Sequence, residues 1–155
     1  MAIEQNSTGY GANNEKTVDT LNSFLRGELS AVETYRQAME KVTDPSLRPQ
    51  LEANSRSHEE RAAKLRNRIS QLGGKPADGS GPWGGFAKLV EGGAKAFGVK
   101  AALSALEEGE DHGLRLYRND LDKLDTSTRS FVEGELLPSQ QRSHDTMSAL
   151  KHSVH

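Results

Sequence analysis

The sequence predicts an all-α chain folded as a four-helix bundle. Three observations carry that prediction. Apolar residues recur in alternating steps of three and four through four separate stretches, the spacing of one buried helical face. Aromatic residues make up only 5% of the 155 residues, so the core is mostly aliphatic, which suits helix-on-helix packing better than a sandwich. The order of landmark residues in the first half returns in the second, as two similar helical hairpins would require.

Residues 1–15 are polar and contain Gly9, Gly11, Asn6, Asn13 and Asn14. They read as a flexible tail, ahead of a bundle domain at 16–152. From Thr17 the pattern becomes periodic. Val18, Leu21, Leu25, Glu28, Val32, Tyr35, Met39 and Val42 form the seam of a first helix. It stops at Val42-Thr43-Asp44-Pro45, where Asp44 suits the cap of the next helix and Pro45 its first position. The second helix carries Leu47, Leu51, Asn54, His58, Ala62, Leu65, Ile69 and Leu72 on one face. Gly73-Gly74-Lys75-Pro76 ends it. The turn between them is short, so the two helices lie antiparallel.

Residues 73–98 are a glycine-rich crossover in which Trp83, Phe86, Val90 and Phe97 share one side of a short helix. The preferred reading is a segment that packs on the bundle and carries the chain along its height of about 35 Å, at about 1.5 Å per helical residue. Contact of those four residues with a membrane or a partner is the less favoured reading, because the glycines weaken an isolated helix. The third helix shows Val99, Leu103, Leu106, Glu110, Leu114, Tyr117, Leu121 and Leu124. Asp125-Thr126-Ser127-Thr128 makes a turn and cap. The fourth runs from about Thr128 to Lys151, with Val132, Leu136, Gln140, His144, Met147 and Leu150 inward. Pro138 is expected to kink it or mark its start.

Composition narrows the function classes. Charged residues are 27% of the chain, but the net charge is only -2, which does not favour a nucleic-acid partner. There is no cysteine, which removes disulfides, thiolate metal sites and cysteine nucleophiles. The first residues lack a basic start with an apolar run, and no apolar stretch approaches the ~18 residues of a membrane span. A cytoplasmic location is expected. A homodimer stays open as an oligomeric state.

The repeat is detailed. Gly27-Glu28 is followed, after six intervening residues, by Tyr35-Arg36 and then Met39-Glu40-Lys41-Val42. Gly109-Glu110 is followed, at the same spacing, by Tyr117-Arg118 and Leu121-Asp122-Lys123-Leu124. Each of those helices precedes one that holds Arg-Ser-His and an acid: Arg56-Ser57-His58-Glu59 and Arg142-Ser143-His144-Asp145. Glu28 and Glu110 interrupt apolar seams, and a core carboxylate is costly unless paired, protonated or metal-bound. His58 and His144 are expected at the same level. Two Glu and two His around one point form a candidate site for iron, manganese or zinc. A buried Glu–His hydrogen-bonded network that fixes helix register is the competing reading. Tyr35 and Tyr117 lie about 10 Å along the axis from the carboxylate of their own helix, at 1.5 Å per residue, and read as core aromatics whose hydroxyls find a polar partner.

These residues resemble the ferritin-like superfamily. Leu21–Val42 resembles its first helix and Ala105–Leu124 its third. The span from Lys16 to Lys151 is similar to a bacterial domain-of-unknown-function family (DUF2383), with its Leu-Gly-Gly-Lys-Pro turn at 72–76, glycine-rich crossover and Gly-Glu-Asp at 109–111. The resemblance implies a ferritin-like four-helix fold. It also implies a metal site built from a Glu on each of two helices and a Glu-x-x-His pair on each of the other two. Glu28 and Glu110 match the single Glu positions, and His58 and His144 the histidines. Ser55 and Gln141 stand where the paired carboxylates belong, and Glu107, one turn before Glu110, is the candidate substitute. Two functions follow as expectations. One is an iron-binding, or similar divalent-metal, bundle with stress-related oxidative chemistry. The other is a non-enzymatic interaction module that needs no cofactor.

Overall fold

The computed structural model describes residues 2–80 and 98–154, with side-chain surroundings from Asn14 onward. The helices are α1 (Ala2–Lys41), α2 (Arg48–Gln71), α3 (Val99–Asn119), α4 (Thr126–Phe131) and α5 (Leu137–Ser153). A π-helical turn, Val132–Leu136, joins α4 to α5, so the three form one continuous rod. The bundle is therefore α1, α2, α3 and the α4–α5 rod, and no strand occurs among the described residues. None of these helices is long and apolar enough to cross a membrane. The part of the crossover that holds Trp83, Phe86, Val90 and Phe97 lies outside the described residues.

Long-range hydrogen bonds fix the directions. Asn22 pairs with Lys75 and Ala77, while Glu28 pairs with His58, so α1 and α2 run antiparallel. Tyr35 reaches Glu110 and Tyr117 reaches Glu28, so α1 and α3 are also antiparallel. Each hairpin buries its apolar face in two layers. Leu21, Phe24, Leu25, Leu65, Ile69, Val132 and Leu136 are among those that fill one end. Tyr35, Val42, Leu51, Leu103, Met147 and Leu150 are among those that fill the other. The polar residues that interrupt the helical seams lie between these layers.

Local sequence explains the element ends, with two corrections. α1 is helical from Ala2, well before the apolar pattern begins at Val18. Once nucleated, a helix adds each further residue at little cost, so its end need not coincide with the end of the apolar pattern. Asp44 does not cap α2. Its carboxylate accepts from Ser46 N–H and Oγ–H within the turn, and α2 starts at Arg48 with Pro49 in its first turn. Pro138 marks the start of α5, as one of its two expected roles, and sits in its first turn without breaking the rod. A proline leaves the carbonyl four residues back without its helical donor, and the wider π turn just upstream accommodates that loss.

Two ends match expectation. Gly73 takes φ +78° after α2, and Gly74 donates its N–H to the Ile69 carbonyl. A side chain at Gly74 would lie 2.6 Å from Val18 Cγ1, so the turn packs directly on α1. Asp125 caps α4 by accepting from the Thr128 N–H at 2.8 Å.

Candidate functional site

Glu28 on α1 and Glu110 on α3 are both buried in the middle layer, 3% and 2% exposed. His58 stands between them. Its Nδ1 is 2.6 Å from Glu28 Oε2 and its Nε2 is 2.7 Å from Glu110 Oε1. One imidazole thus bridges the two hairpins. Each tyrosine donates to the carboxylate of the opposite hairpin: Tyr35 to Glu110 and Tyr117 to Glu28, both at 2.7 Å. The tyrosines read as core aromatics are therefore part of the centre. The antiparallel crossing of α1 and α3 brings to Glu110 a hydroxyl that is two turns away from Glu28.

Arg61, one turn after His58, completes the charge balance and is 1% exposed. Its Nε donates to Glu28 Oε1 at 2.9 Å. Its Nη1 donates to Ser57 Oγ and to Ser139 Oγ. Its Nη2 donates to Gln140 Oε1 at 2.9 Å and Ser143 Oγ at 3.2 Å. Gln140 Nε2 and Ser143 Oγ in turn donate to Glu110 Oε2, at 2.9 and 2.8 Å. Asn54 Nδ2 donates to the Tyr35 hydroxyl and the Ser143 carbonyl.

The charges hold one another. Burial alone would raise the Glu28 carboxyl, but Arg61 and then His58 outweigh it and lower it to about 2. Burial alone would lower His58, but Glu110 and Glu28 outweigh it and raise the imidazole to about 9. Glu110 is held below the usual carboxylate range, with burial again opposed by His58 and the Tyr35 and Ser143 hydroxyls. Both tyrosines are pushed up, by burial first and by the facing carboxylate second. At neutral pH the centre holds two carboxylates, one guanidinium and one imidazolium, a net charge of zero. His58 Nδ1 also lies 2.9 Å from Arg61 Nη2. Two carboxylates at hydrogen-bond distance require a proton on both ring nitrogens, so this contact is a close approach of two cations between their counter-charges.

His144 is not in this layer. Its ring pairs with Asp111 and Asp145 near the surface. The reason is register. A step of four residues over-rotates by about 40° on a helix of 3.6 residues per turn, so a run of fours drifts off the face. After Leu136 and Gln140, the inward position is Ser143, three residues on. The residue that corresponds to His58 is Gln140. His58 lies 30 residues after Glu28, and Gln140 lies 30 after Glu110. Arg61 and Ser143 likewise both lie 33 residues after their carboxylate. The repeated Arg-Ser-His is four residues out of step with this repeat. Glu107 does not approach the centre either, because its carboxylate accepts from Lys151 Nζ. Gln141 pairs with Arg118 and Asp145 at the surface.

Two small cavities flank His58 between α1 and α3. One is lined by Gly27, Ala31, Thr34, Tyr35 and Glu110, and the other by Phe24, Glu28, Gly113, Tyr117 and Gln140. Each is about 20 Å³, room for a single water. Gly113 keeps the second one open to Gln140, whose Nε2 would be 3.0 Å from a Cβ there.

A ferritin-like di-metal group needs four carboxylates and two imidazoles from this layer. The i, i+3 pairs that face the carboxylates here are His58/Arg61 and Gln140/Ser143. They replace both Glu-x-x-His pairs, and they are not the pairs Ser55/His58 and Gln141/His144 that sequence alone singles out. A guanidinium has no lone pair for a metal. The three remaining ligand-type side chains do not converge, because His58 turns one nitrogen to each carboxylate. Among the described residues no group of three or more acid or histidine side chains is arranged to hold a metal ion. The residues do not fit a di-iron group.

The fold is similar to that in the crystal structure of ferritin-like, diiron-carboxylate proteins from Bacillus anthracis str. Ames. The TM-score is 0.72, at 18% sequence identity over 90% of this chain and 97% of that one. At that identity the likeness is one of fold. No curated protein matches the chain. Residues 16–123 match the family model described as a domain of unknown function (DUF2383), and the chain belongs to that family.

Proposed function

We propose that this protein is a non-enzymatic ferritin-like module whose Glu/His centre is a structural polar network rather than a metal site. The single observation that carries this reading is the Arg61 guanidinium, which supplies one of the two positive charges that Glu28 and Glu110 require. His58 supplies the other. A centre that is already neutral and hydrogen-bonded gains little from a divalent ion. Such an ion would first have to expel a buried cation and break its bonds to Glu28, Gln140 and Ser143. The network links α1, α2, α3 and α5, so a slip of any helix along its neighbour would leave buried charges unpaired. That penalty fixes register, the best attested use of buried polar groups. The bundle then serves as a rigid body that presents its outer surface to a partner.

The test is anaerobic titration of the purified protein with Fe(II), Mn(II) and Zn(II), followed by desalting and elemental analysis. We expect no stoichiometric retention, and no difference between wild type and the double variant Glu28→Gln, Glu110→Gln. Retention of one or two equivalents by wild type, lost in the double variant, overturns the reading.

A further inference from the structure

We propose that residues 81–97 of the crossover dock along the outer side of α1, with Trp83, Phe86, Val90 and Phe97 as the contact face, and close the buried centre from solvent there. A helix turns about 100° per residue, so the row turned away from the centre can be named on each rod. On α2 that row is Arg56, Glu60, Ala63 and Asn67, and on α5 it is Pro138, Arg142, Asp145 and Ala149. All of these are exposed. On α1 the residue turned about 200° from Glu28 is Ser30, and Thr34 is turned about 120°. Each is only 2% exposed. Gln37, on the far side as well, has its amide oxygen buried. Toward the start of α3, Ala101 and Ala105 lie about 140–180° from Glu110 and are only partly exposed, while Glu108 and His112 further along are exposed. Something other than the four rods therefore covers the outer side of α1 and the adjoining start of α3.

The path of the chain identifies that cover. Ala77 donates its N–H to Asn22, near one end of the bundle. Val99, the first residue of α3, packs in the layer of Val42, at the other end. The chain between them travels about 30 Å along the bundle, a distance that about 20 helical residues cover at 1.5 Å each. A direct route from Asn22 to the start of α3 passes over Ser30 and Thr34. Trp83, Phe86, Val90 and Phe97 follow steps of three, four and seven, the spacing of one side of a helix. The surface beneath suits an apolar neighbour. Thr34 spends its hydroxyl proton within α1, on the Ser30 carbonyl at 2.6 Å, so it presents no unpaired donor to that neighbour. Ser30, Thr34, Gly27 and Gly109 also line the cavity beside Tyr35 and Glu110. A cover here keeps bulk water out of that cavity and away from the centre. The apolar face is then used inside the chain and is not free for a membrane or a partner.

The chain has no cysteine and one tryptophan, so a thiol probe and Trp83 fluorescence each report on one place. Ser30→Cys should react with a thiol reagent on the order of a hundredfold more slowly than Ala63→Cys, on the exposed row of α2, because labelling must wait for local opening. Adding Phe86→Ser and Val90→Ser should speed the labelling of Ser30→Cys by roughly tenfold or more and leave that of Ala63→Cys unchanged. In the unmodified chain Trp83 should be poorly quenched by acrylamide, and Ser30→Arg, which fills the seat, should expose it. If Phe86→Ser with Val90→Ser loses its helical signal, the Trp83 measurements decide alone. The proposal is overturned if Ser30→Cys labels as fast as Ala63→Cys, or if Trp83 is equally quenched with and without Ser30→Arg. It is also overturned if the protection survives Phe86→Ser and Val90→Ser in a folded chain; protection that then falls on dilution assigns the cover to a second copy. A Trp83 that is open in the free protein and shielded only by phosphatidylglycerol vesicles overturns it in favour of a membrane surface.

Discussion

The two hairpins share their carboxylates and tyrosines but differ in what the second helix brings to them. In the first, His58 and Arg61 offer Glu28 two positive charges. In the second, Gln140 and Ser143 occupy the corresponding positions and offer Glu110 only neutral donors. Glu110 obtains its counter-charge across the bundle, from His58. One hairpin thus supplies all the positive charge for both. A duplicated scaffold with matching ligand-type positions need not keep a matching site, and the asymmetry removes any symmetric pair of metal positions. It also ties the hairpins together more firmly than two self-sufficient halves would, because Glu110 is neutralised only when they are docked.

The largest effect should come from breaking the asymmetry at its source. Arg61→Met leaves Glu28 buried with its first counter-charge gone, which should cost about 3–5 kcal/mol of unfolding free energy. Ser143→Ala, at the same position of the other hairpin, removes one charge-assisted hydrogen bond of a carboxylate that keeps several others, at about 1.5–3 kcal/mol. Urea unfolding of both variants measures the difference. Equal costs would mean that the hairpins are energetically equivalent and that the Arg61 charge is not what holds Glu28.

The next effect is a pH dependence that belongs to the first hairpin. His58 is raised from 6.5 to about 9 in the fold. Its contribution is therefore complete below pH 6.5 and is lost as pH rises through 9, a decline on the order of 3 kcal/mol shared by the coupled His58–Glu28–Glu110 unit. Glu28, lowered from 4.5 to about 2, contributes above 4.5 and loses that contribution as pH falls through 2. Unfolding curves between neutral and alkaline pH should show the decline in wild type. His58→Gln, which makes the first hairpin resemble the second at this position, should be less stable at neutral pH and flat over that window. A wild type that is equally flat would sink the assignment of an imidazolium to the bridge.

Smaller effects come from the tyrosines, where the hairpins are most alike. Tyr35→Phe and Tyr117→Phe each remove a hydroxyl that donates to a buried carboxylate, a charge-assisted bond worth about 1.5–3 kcal/mol. Tyr35 should be the more sensitive, because its hydroxyl also accepts from Asn54. A Tyr117 loss clearly larger than the Tyr35 loss would contradict the bonding described.

Much of this was legible in the sequence, for physical reasons that also explain what was not. Long amphipathic helices leave a strong periodic trace, and Gly73, Gly74 and Asp125 mark real ends. Glu28, Glu110 and His58 stood out because each interrupts an apolar seam. Arg61 did not. It lies in the charged run Glu59-Glu60-Arg61, one residue from the seam position Ala62, and such a run usually coats a solvated face. A helix buries more than one row, so a long side chain beside the seam reaches the core. The available signal was the spacing itself: the step of 82 residues from Glu28 to Glu110 and from Tyr35 to Tyr117, applied to His58, lands on Gln140. Matching tetrapeptides outweighed that register. They placed His144 where Gln140 belongs and moved the expected ligand pairs with it.

The smallest expected effect is thus the sharpest check on the correction. His144 pairs with Asp111 and Asp145 where all three side chains are partly exposed, the imidazole 21% and the carboxylates 44% and 65%. Pairs of this kind contribute about 0–1 kcal/mol, because solvent screens them and holding the side chains costs entropy. His144→Ala should therefore unfold within about 1 kcal/mol of wild type and keep the alkaline decline that His58 sets. His58→Ala, at the matching position of the apparent tetrapeptide repeat but in a different layer of the fold, should lose several times as much. It leaves Glu28 and Glu110 facing each other with Arg61 alone between them. If the two alanine variants cost the same, His144 belongs to the centre after all, and the two hairpins are more alike than their hydrogen bonds indicate.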